Sequence, residues 1–336
     1  MQWANLAYPE QFFLAQKIIR RRKNEWHRRY SGLHGIGFGV RHVQKARLEK
    51  EPPAIIFFVK RKGRLGRGGH LLRVVLSRFR QRGKWVTMKV PTDVVECSKG
   101  KLQCPFQACD SSGNNLVMGN ACCALSISSA PGALAQFVLG CHHVFLASDL
   151  SPTMSPGPVD HISYNGIRIG TIAASGKMNP GLPPTDYSQD AALVNIDDAA
   201  RPALQSYWQP WTPTGLARGT VPLLPEGNYG VYANGSFIQA KMHCWVTDFK
   251  VPVNKGQYIL LAEALLYDGD ISGVYPTNGC SGGAFVNRDN DMIIGMHMAR
   301  MLSNDTPSGQ ICVAEPTWTL VTPTGPFADS LYLAKV

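Results

Sequence analysis

From Ala121 to the end of the chain, short apolar runs alternate with turn-forming Gly, Pro and Asn, and this rhythm confines the chain to short strands. The runs are residues 167–172, 191–196, 230–233, 237–245, 258–266, 284–286, 292–298 and 310–313. Each has strand length, and the breakers between them deny a helix the ten or more periodic positions it needs. The 33 glycines and 23 prolines among 336 residues suit the same reading. The pattern predicts a mainly β chain of barrel type. No stretch approaches the ~20 consecutive apolar residues that would cross a bilayer.

Charge marks out a front module. Residues 1–90 hold 22 of the 34 Lys and Arg against four glutamates, Glu10, Glu25, Glu49 and Glu51; the remainder is net acidic. Within this module residues 9–29 carry a helical signal. Pro9 suits a first turn, Phe12, Phe13, Ala15, Ile18 and Ile19 form an apolar side, and Arg20–Lys23 with Arg28 and Arg29 sit where the helix dipole favours cations. The alternating run 35–40 and the apolar run 54–59 predict strands, a basic loop 60–70 follows, and residues 90–96 predict a closing strand. The expected division is a basic α+β domain over 1–96 and a β domain over 97–336. Between them, Cys97, Cys104, Cys109, Cys122 and Cys123 cluster in the chain. Their spacing lacks the close Cys pairs of common zinc sites, so the expectation is no metal, with the cysteines of 121–127 acting as small hydrophobes in a buried strand.

Three motifs carry chemistry. In Asn278-Gly279-Cys280-Ser281-Gly282-Gly283-Ala284 the glycines let the backbone turn sharply around a serine, and the amides of Gly279 and Ser281 can aim at one point. In Leu139-Gly140-Cys141-His142-His143-Val144 an apolar run delivers two histidines to a turn. In Gln189-Asp190-Ala191-Ala192-Leu193 an aspartate heads an apolar strand. The order is His, Asp, Ser, with 47 and 91 residues between successive members. That order differs from those of the subtilisin and α/β-hydrolase arrangements.

On these residues the chain resembles the trypsin-like serine peptidase superfamily. The resemblance implies a chymotrypsin-like double β-barrel peptidase domain, with a substrate cleft between barrels bridged by the proline-rich connection 205–225 that holds Trp208 and Trp211. It implies Ser281 as nucleophile, His143 as general base and Asp190 as the group that orients the imidazole. Gly279 and Ser281 would form the oxyanion hole. His142 competes for the base; His143 matches the family pattern because it directly precedes the small apolar Val144. Asp186, Asp197 and Asp198 are alternatives to Asp190, but only Asp190 heads the apolar strand. Cys280 is an alternative nucleophile, since picornavirus-type cysteine peptidases of this fold use Gly-x-Cys-Gly-Gly; the glycines here are in register with Ser281. Trypsin itself has an aspartate where Cys280 stands, so activation by a salt-bridged new N-terminus is not expected.

The strand 292–299 resembles the wall of the primary specificity pocket. His297 and Met298 there, with Tyr275 six residues before Ser281, imply cleavage after Glu or Gln rather than after a basic residue. The front module resembles the N-terminal extension of leaderless bacterial trypsin-like peptidases, which have a Gly-x-Gly-x-Gly strand, a second strand ending in lysines and a Pro-x-Asp-Val-Val segment. No secretory signal is visible at Met1–Asn5 and the cysteine count is odd, so the expectation is a cytoplasmic chain with reduced thiols. The expected function is intracellular endopeptidase, with no cofactor and a protein or peptide substrate. The basic front domain would regulate activity by contact with the acidic part. The alternative is a catalytically idle scaffold that binds a partner or nucleic acid through its basic module.

Overall fold

A computed structural model describes residues 2–30, 32–43, 46–48, 50–60, 62, 74–81, 84–101, 106–146, 159–179, 181, 186–252, 257–269, 280–306, 308–322, 325–327 and 330–336. The chain is mainly β. Six strands close into a ring: Tyr229–Ala233, Ala284–Asn287, Met292–Leu302, Gln310–Pro316, Tyr258–Gly269 and Ser236–Pro252. Closure comes from Tyr229–Ala233, which pairs with Ala284–Asn287 on one edge and Ser236–Pro252 on the other. A closed ring leaves no edge of unpaired peptide groups. Two smaller sheets hold most of the intervening sequence. One is five-stranded and includes Ala121–Ser126, Phe137–Gly140 and Ala192–Asn195; the other is four-stranded and includes Phe106–Cys109 and His161–Tyr164.

The strands expected after residue 166 form at the expected places, several of them longer than their apolar runs. Ser236–Pro252 reaches 17 residues and Met292–Leu302 reaches 11. Extra length is possible because a strand paired on both edges keeps its polar residues in register with partners. Two local features add detail to the expectation. The histidine-bearing turn is a single helical turn, His142–Phe145. The connection after residue 200 opens with an eight-residue helix, Arg201–Trp208, in which Leu204 and Tyr207 are buried.

Residues 1–96 join the ring through a shared sheet. Leu33–Gly39 pairs antiparallel with the far half of Ser236–Pro252, Gly37 opposite Val246 and Gly39 opposite Cys244, and Ala54–Val59 and Lys84–Glu96 extend the sheet outward. The alternating glycines of the first strand have a steric cause. A Cβ at Gly37 would stand 2.4 Å from the Trp245 carbonyl oxygen, and one at Gly39 would stand 2.1 Å from the His243 carbonyl oxygen. Main-chain atoms of a paired strand cannot step aside. Gly39→Ala is therefore expected to cost about 1–3 kcal/mol by overpacking, read as a lowered urea midpoint. Gly219→Ala, where a Cβ meets nothing within 4 Å, should leave the midpoint unchanged.

The helix Tyr8–Arg29 lies across this junction. Glu10 reaches back to the Ala7 N–H at 3.0 Å, and His27, Arg28 and Arg29 occupy the last turn. Phe12 packs edge-on against Phe38 and Trp245, and Trp26 against Phe57, so one helix covers both the front strands and the long ring strand. Basic residues of residues 1–96 also meet acids beyond residue 96: Arg20 with Glu263 at 3.2 Å, Lys23 with Asp248 at 3.0 Å, and Lys62 with Asp305. Exposed pairs contribute up to ~1 kcal/mol each. Burying Phe12, Ile19 and Phe57 contributes about 1.5–3 kcal/mol each, so apolar packing dominates this junction. No helix among the described residues is long and apolar enough to cross a membrane.

Candidate functional site

Strand register brings His143 and Asp190 together. Phe137–Gly140 and Ala192–Asn195 are antiparallel neighbours with Gly140 opposite Ala192. The chain leaving the first strand and the chain entering the second are thus at the same end of the sheet. Beyond Gly140 the backbone makes the turn His142–Phe145, with Cys141 at its N-cap. The Asp190 carboxylate accepts the His143 backbone N–H at 3.0 Å through Oδ1, and its Oδ2 lies 2.6 Å from His143 Nδ1. Both residues are buried.

Burial alone would raise the Asp190 pKa, but the nearby His143 charge and the hydrogen bonds from His143 outweigh it and hold the carboxyl below its ordinary value. An ionised carboxylate only accepts hydrogen bonds, so Nδ1 carries a hydrogen, and in the neutral ring the lone pair then falls on Nε2. His143 Nε2 is buried and has no hydrogen-bond partner among the described residues. The carboxylate engages His143 rather than His142. Burial lowers the His142 pKa despite the Asp190 charge, and its Nδ1 is left without a partner among the described residues.

Ser281 sits in a turn closed by the Gly283 N–H on the Cys280 carbonyl, 2.8 Å. Gly282 has φ +92°, and a Cβ there would meet the Asn120 carbonyl oxygen at 2.0 Å, so both conformation and space demand glycine. The Gly282 N–H donates to the His297 carbonyl, and the His297 N–H to the Gly283 carbonyl, each 2.8 Å; the pair clamps the loop to Met292–Leu302. From the other side, the Asn120 N–H donates to the Ser281 carbonyl at 2.7 Å. Asn120 Oδ1 in turn accepts the Tyr207 hydroxyl at 3.1 Å and the Asn234 N–H at 3.0 Å.

The Cys141 thiol donates to the same His297 carbonyl that Gly282 uses, at 3.4 Å. One oxygen therefore ties the His143 turn to the Ser281 loop. The Ser281 hydroxyl itself donates to the Met298 carbonyl at 3.0 Å. Gly279 and Tyr275 lie outside the described residues. Cys280 is fully buried in the apolar cluster that includes Tyr267, Phe285 and Cys312.

His297 is buried, and its Nδ1 meets the Tyr267 hydroxyl. Tyr267 is stacked on Phe285 with ring centroids 4.3 Å apart. Burial first, then the charges of His143 and Arg300, push the His297 pKa down to about 3, so the ring is neutral at working pH. Burial also raises the Tyr267 hydroxyl well above its ordinary value, and it stays a phenol. The Met298 side chain packs in the core, and what this residue turns toward Ser281 is its carbonyl.

Three residues here escaped the sequence reading. Glu315 Oε2 accepts the Asp190 backbone N–H at 2.9 Å. Its signal was an acid at the end of the apolar run Ile311-Cys312-Val313-Ala314, a poor place for an unpartnered charge. Asn120 and Cys141 gave no signal, because both act through backbone contacts to remote segments. Cys141, His143 and Asp190 offer ligand atoms within 4.8 Å of one another, but the His143 ring nitrogen facing Asp190 and the Cys141 thiol are already engaged in hydrogen bonds. The described cysteines of the 97–123 segment, Cys97, Cys109, Cys122 and Cys123, are buried.

Asp190 is also tied to the front of the chain. Three residues before it, the Tyr187 hydroxyl donates to Asp248 Oδ1 at 2.6 Å, and Lys23 of the N-terminal helix donates to the same oxygen at 3.0 Å. No protein-family model matches this chain, and no curated protein matches it with significance.

Proposed function

We propose that this protein is a serine endopeptidase of the chymotrypsin-like double-barrel type, with Ser281 as nucleophile, His143 as base and Asp190 as orienting acid. The observation that carries the reading is the base: Asp190 holds the His143 ring by Nδ1 and leaves Nε2 unpartnered, while the Ser281 loop is tied to the same His297 carbonyl as the His143 turn. The closed six-strand ring and the two smaller sheets supply the material of two barrels, with Ser281 on the first and the His143–Asp190 pair on the second set.

In the reaction the Ser281 hydroxyl leaves the Met298 carbonyl by rotation about χ1 and gives its proton to His143 Nε2 as Oγ attacks the scissile carbonyl carbon. The carbonyl π pair moves to oxygen, where the amides of Ser281 and Gly279 receive it. Protonated His143 then hands its proton to the leaving amine, the C–N bond breaks, and an acyl-Ser281 remains. Water repeats the sequence, His143 taking its proton, and releases the acid. Asp190 stabilises the imidazolium in both halves. A fluorophosphonate probe should label the native protein at Ser281 and leave Ser281→Ala unlabelled. An unlabelled native protein overturns the reading.

The second reading, an idle scaffold, is favoured by one observation, the Ser281 hydroxyl bonded to Met298 instead of to His143. Catalytic hydrogen bonds are often loose before substrate arrives, and the labelling experiment separates the two.

His297 sets the substrate preference in this proposal. With Tyr267 donating to Nδ1, the neutral ring offers Nε2–H as a donor. A neutral donor suits the amide oxygen of Gln, whereas a Glu carboxylate would be desolvated against no charge. Cleavage is expected after Gln above Glu. Because the ring already stays neutral down to about pH 3, the ratio should not change between pH 6 and 9. Peptide-library profiling checks this; a preference for Arg or Lys, or a profile unchanged in His297→Ala, overturns it.

A further inference from the structure

We propose that Glu315 is a positioning residue for the His143–Asp190 pair, locking the backbone at Asp190 to the strand system that carries Ser281. This rests on the peptidase reading for its kinetic consequence, though not for its spectroscopic one. The geometry is specific. The Asp190 carboxylate engages His143 with both oxygens, and its anchorage to the Ser281-bearing strands runs through its backbone. Its amide N–H is the remaining handle, and Glu315 Oε2 takes it at 2.9 Å.

Glu315 belongs to Gln310–Pro316 and stands opposite Met296 in the neighbouring strand Met292–Leu302. Two residues further along that neighbour is Met298, whose carbonyl holds the Ser281 hydroxyl. Asp190, by contrast, leads into Ala192–Asn195 of the five-stranded sheet. A single carboxyl group thus spans the two sheets that must be in register for His143 to reach Ser281. A shift of Asp190 by a fraction of an ångström would turn the imidazole with it, and misplacement of about 1 Å can cost ~100-fold in rate.

The N–H bond by itself favours a carboxylate, but the surroundings of Glu315 outweigh it and favour the neutral acid. Burial first, and the Asp190 charge second, push the Glu315 pKa up to about 8. The charge acting on it is that of Asp190; the strands paired with its own carry His297 and Arg300 (Met292–Leu302) and Tyr267 (Tyr258–Gly269), and Cys312 is on its own strand. His297 is neutral, Tyr267 is a phenol, and burial keeps Cys312 a thiol. Below about pH 8 the folded protein therefore keeps a proton on Glu315 that the unfolded chain releases near the ordinary carboxylate value. The stability this proton contributes is full below pH 4.5 and is lost as pH rises through about 8.

The test compares Glu315→Ala and Glu315→Gln in the full chain by two readouts. One is kcat and KM on a Gln-containing peptide. The other is the downfield proton resonance of His143 Nδ1–H in its bond to Asp190. Glu315→Ala should lower kcat at least tenfold with KM within twofold, and should shift or broaden the resonance. Glu315→Gln keeps an acceptor oxygen without titrating, so it should hold kcat within threefold at pH 7 and keep the resonance. It should also remove the decline of thermal stability between pH 4.5 and 8. Unchanged kcat and resonance in Glu315→Ala overturn the proposal, as does a folded Glu315→Gln as damaged as Glu315→Ala. Should Glu315→Ala not fold, Glu315→Gln decides: a retained resonance with the flattened stability profile supports the role, and a lost resonance overturns it. An inactive native protein with the resonance responding as stated would sink the peptidase reading and leave the positioning role standing.

Discussion

Ser281→Ala is expected to abolish the proposed peptide hydrolysis, and Cys280→Ala to leave it within about tenfold of the unaltered protein. The two residues are adjacent, and only their surroundings separate them. Ser281 is held by three backbone clamps, from Asn120, His297 and the Gly283 turn, with its hydroxyl on a carbonyl it can leave by one bond rotation. Both are buried, but Cys280 belongs to the apolar cluster that holds Tyr267, Phe285 and Cys312. A thiol packed in an apolar cluster serves as a small hydrophobe there. Loss of a triad serine elsewhere costs about 10⁶ in kcat, and that is the scale expected here. Removing the Cys280 sulfur trims a core contact, a cost of order 1 kcal/mol in stability. Steady-state rates on one peptide, with melting curves to show that both variants fold, decide the matter. A dead Cys280→Ala beside an active Ser281→Ala would reassign the nucleophile.

Asp190→Asn is expected to lower kcat/KM by about 10⁴ while the protein stays folded. An asparagine amide can still face His143, but its NH₂ would donate to Nδ1. The ring would then carry its hydrogen on Nε2, toward Ser281, where a lone pair is required. The loss comes from the wrong tautomer, not from a broken fold. His142→Ala should stay within about tenfold, because the Asp190 carboxylate bonds to the neighbouring ring. The same peptide assay, run on Asp190→Asn, His143→Ala and His142→Ala, tests the assignment. Comparable losses from the two histidine variants would leave His143 without its special role.

Much of the secondary structure was legible because its causes are local. Pro9 and the apolar side of residues 12–19 specify a helix in any context, and a run such as Ala54–Val59 is a strand by composition alone. Even the glycine after Ser281 announced itself, since φ +92° is open to few other residues. An Asn-Gly pair between two apolar runs is a local hairpin signal of the same kind, and φ of 54° and 72° at Asn234 and Gly235 make it the turn of a tight hairpin.

The sequence by itself determined the motifs around His143, Asp190 and Ser281, their order, and that each stands beside a short strand. What only the tertiary structure decided is their pairing. Cys141 binding the His297 carbonyl, Asn120 holding the Ser281 carbonyl, and Glu315 on the Asp190 amide are contacts between segments 156, 161 and 125 residues apart. The basic front of the chain is a similar case. Its charge was plain in the sequence, but the sheet it shares with the ring depends on Gly37 and Gly39 lying against backbone atoms of a strand more than 200 residues away. Local preference arises from each residue's own torsions and neighbours, and it survives in the linear chain. A hydrogen bond across two sheets has no trace there, because its energy exists only once the fold has paid the entropy of bringing both ends together.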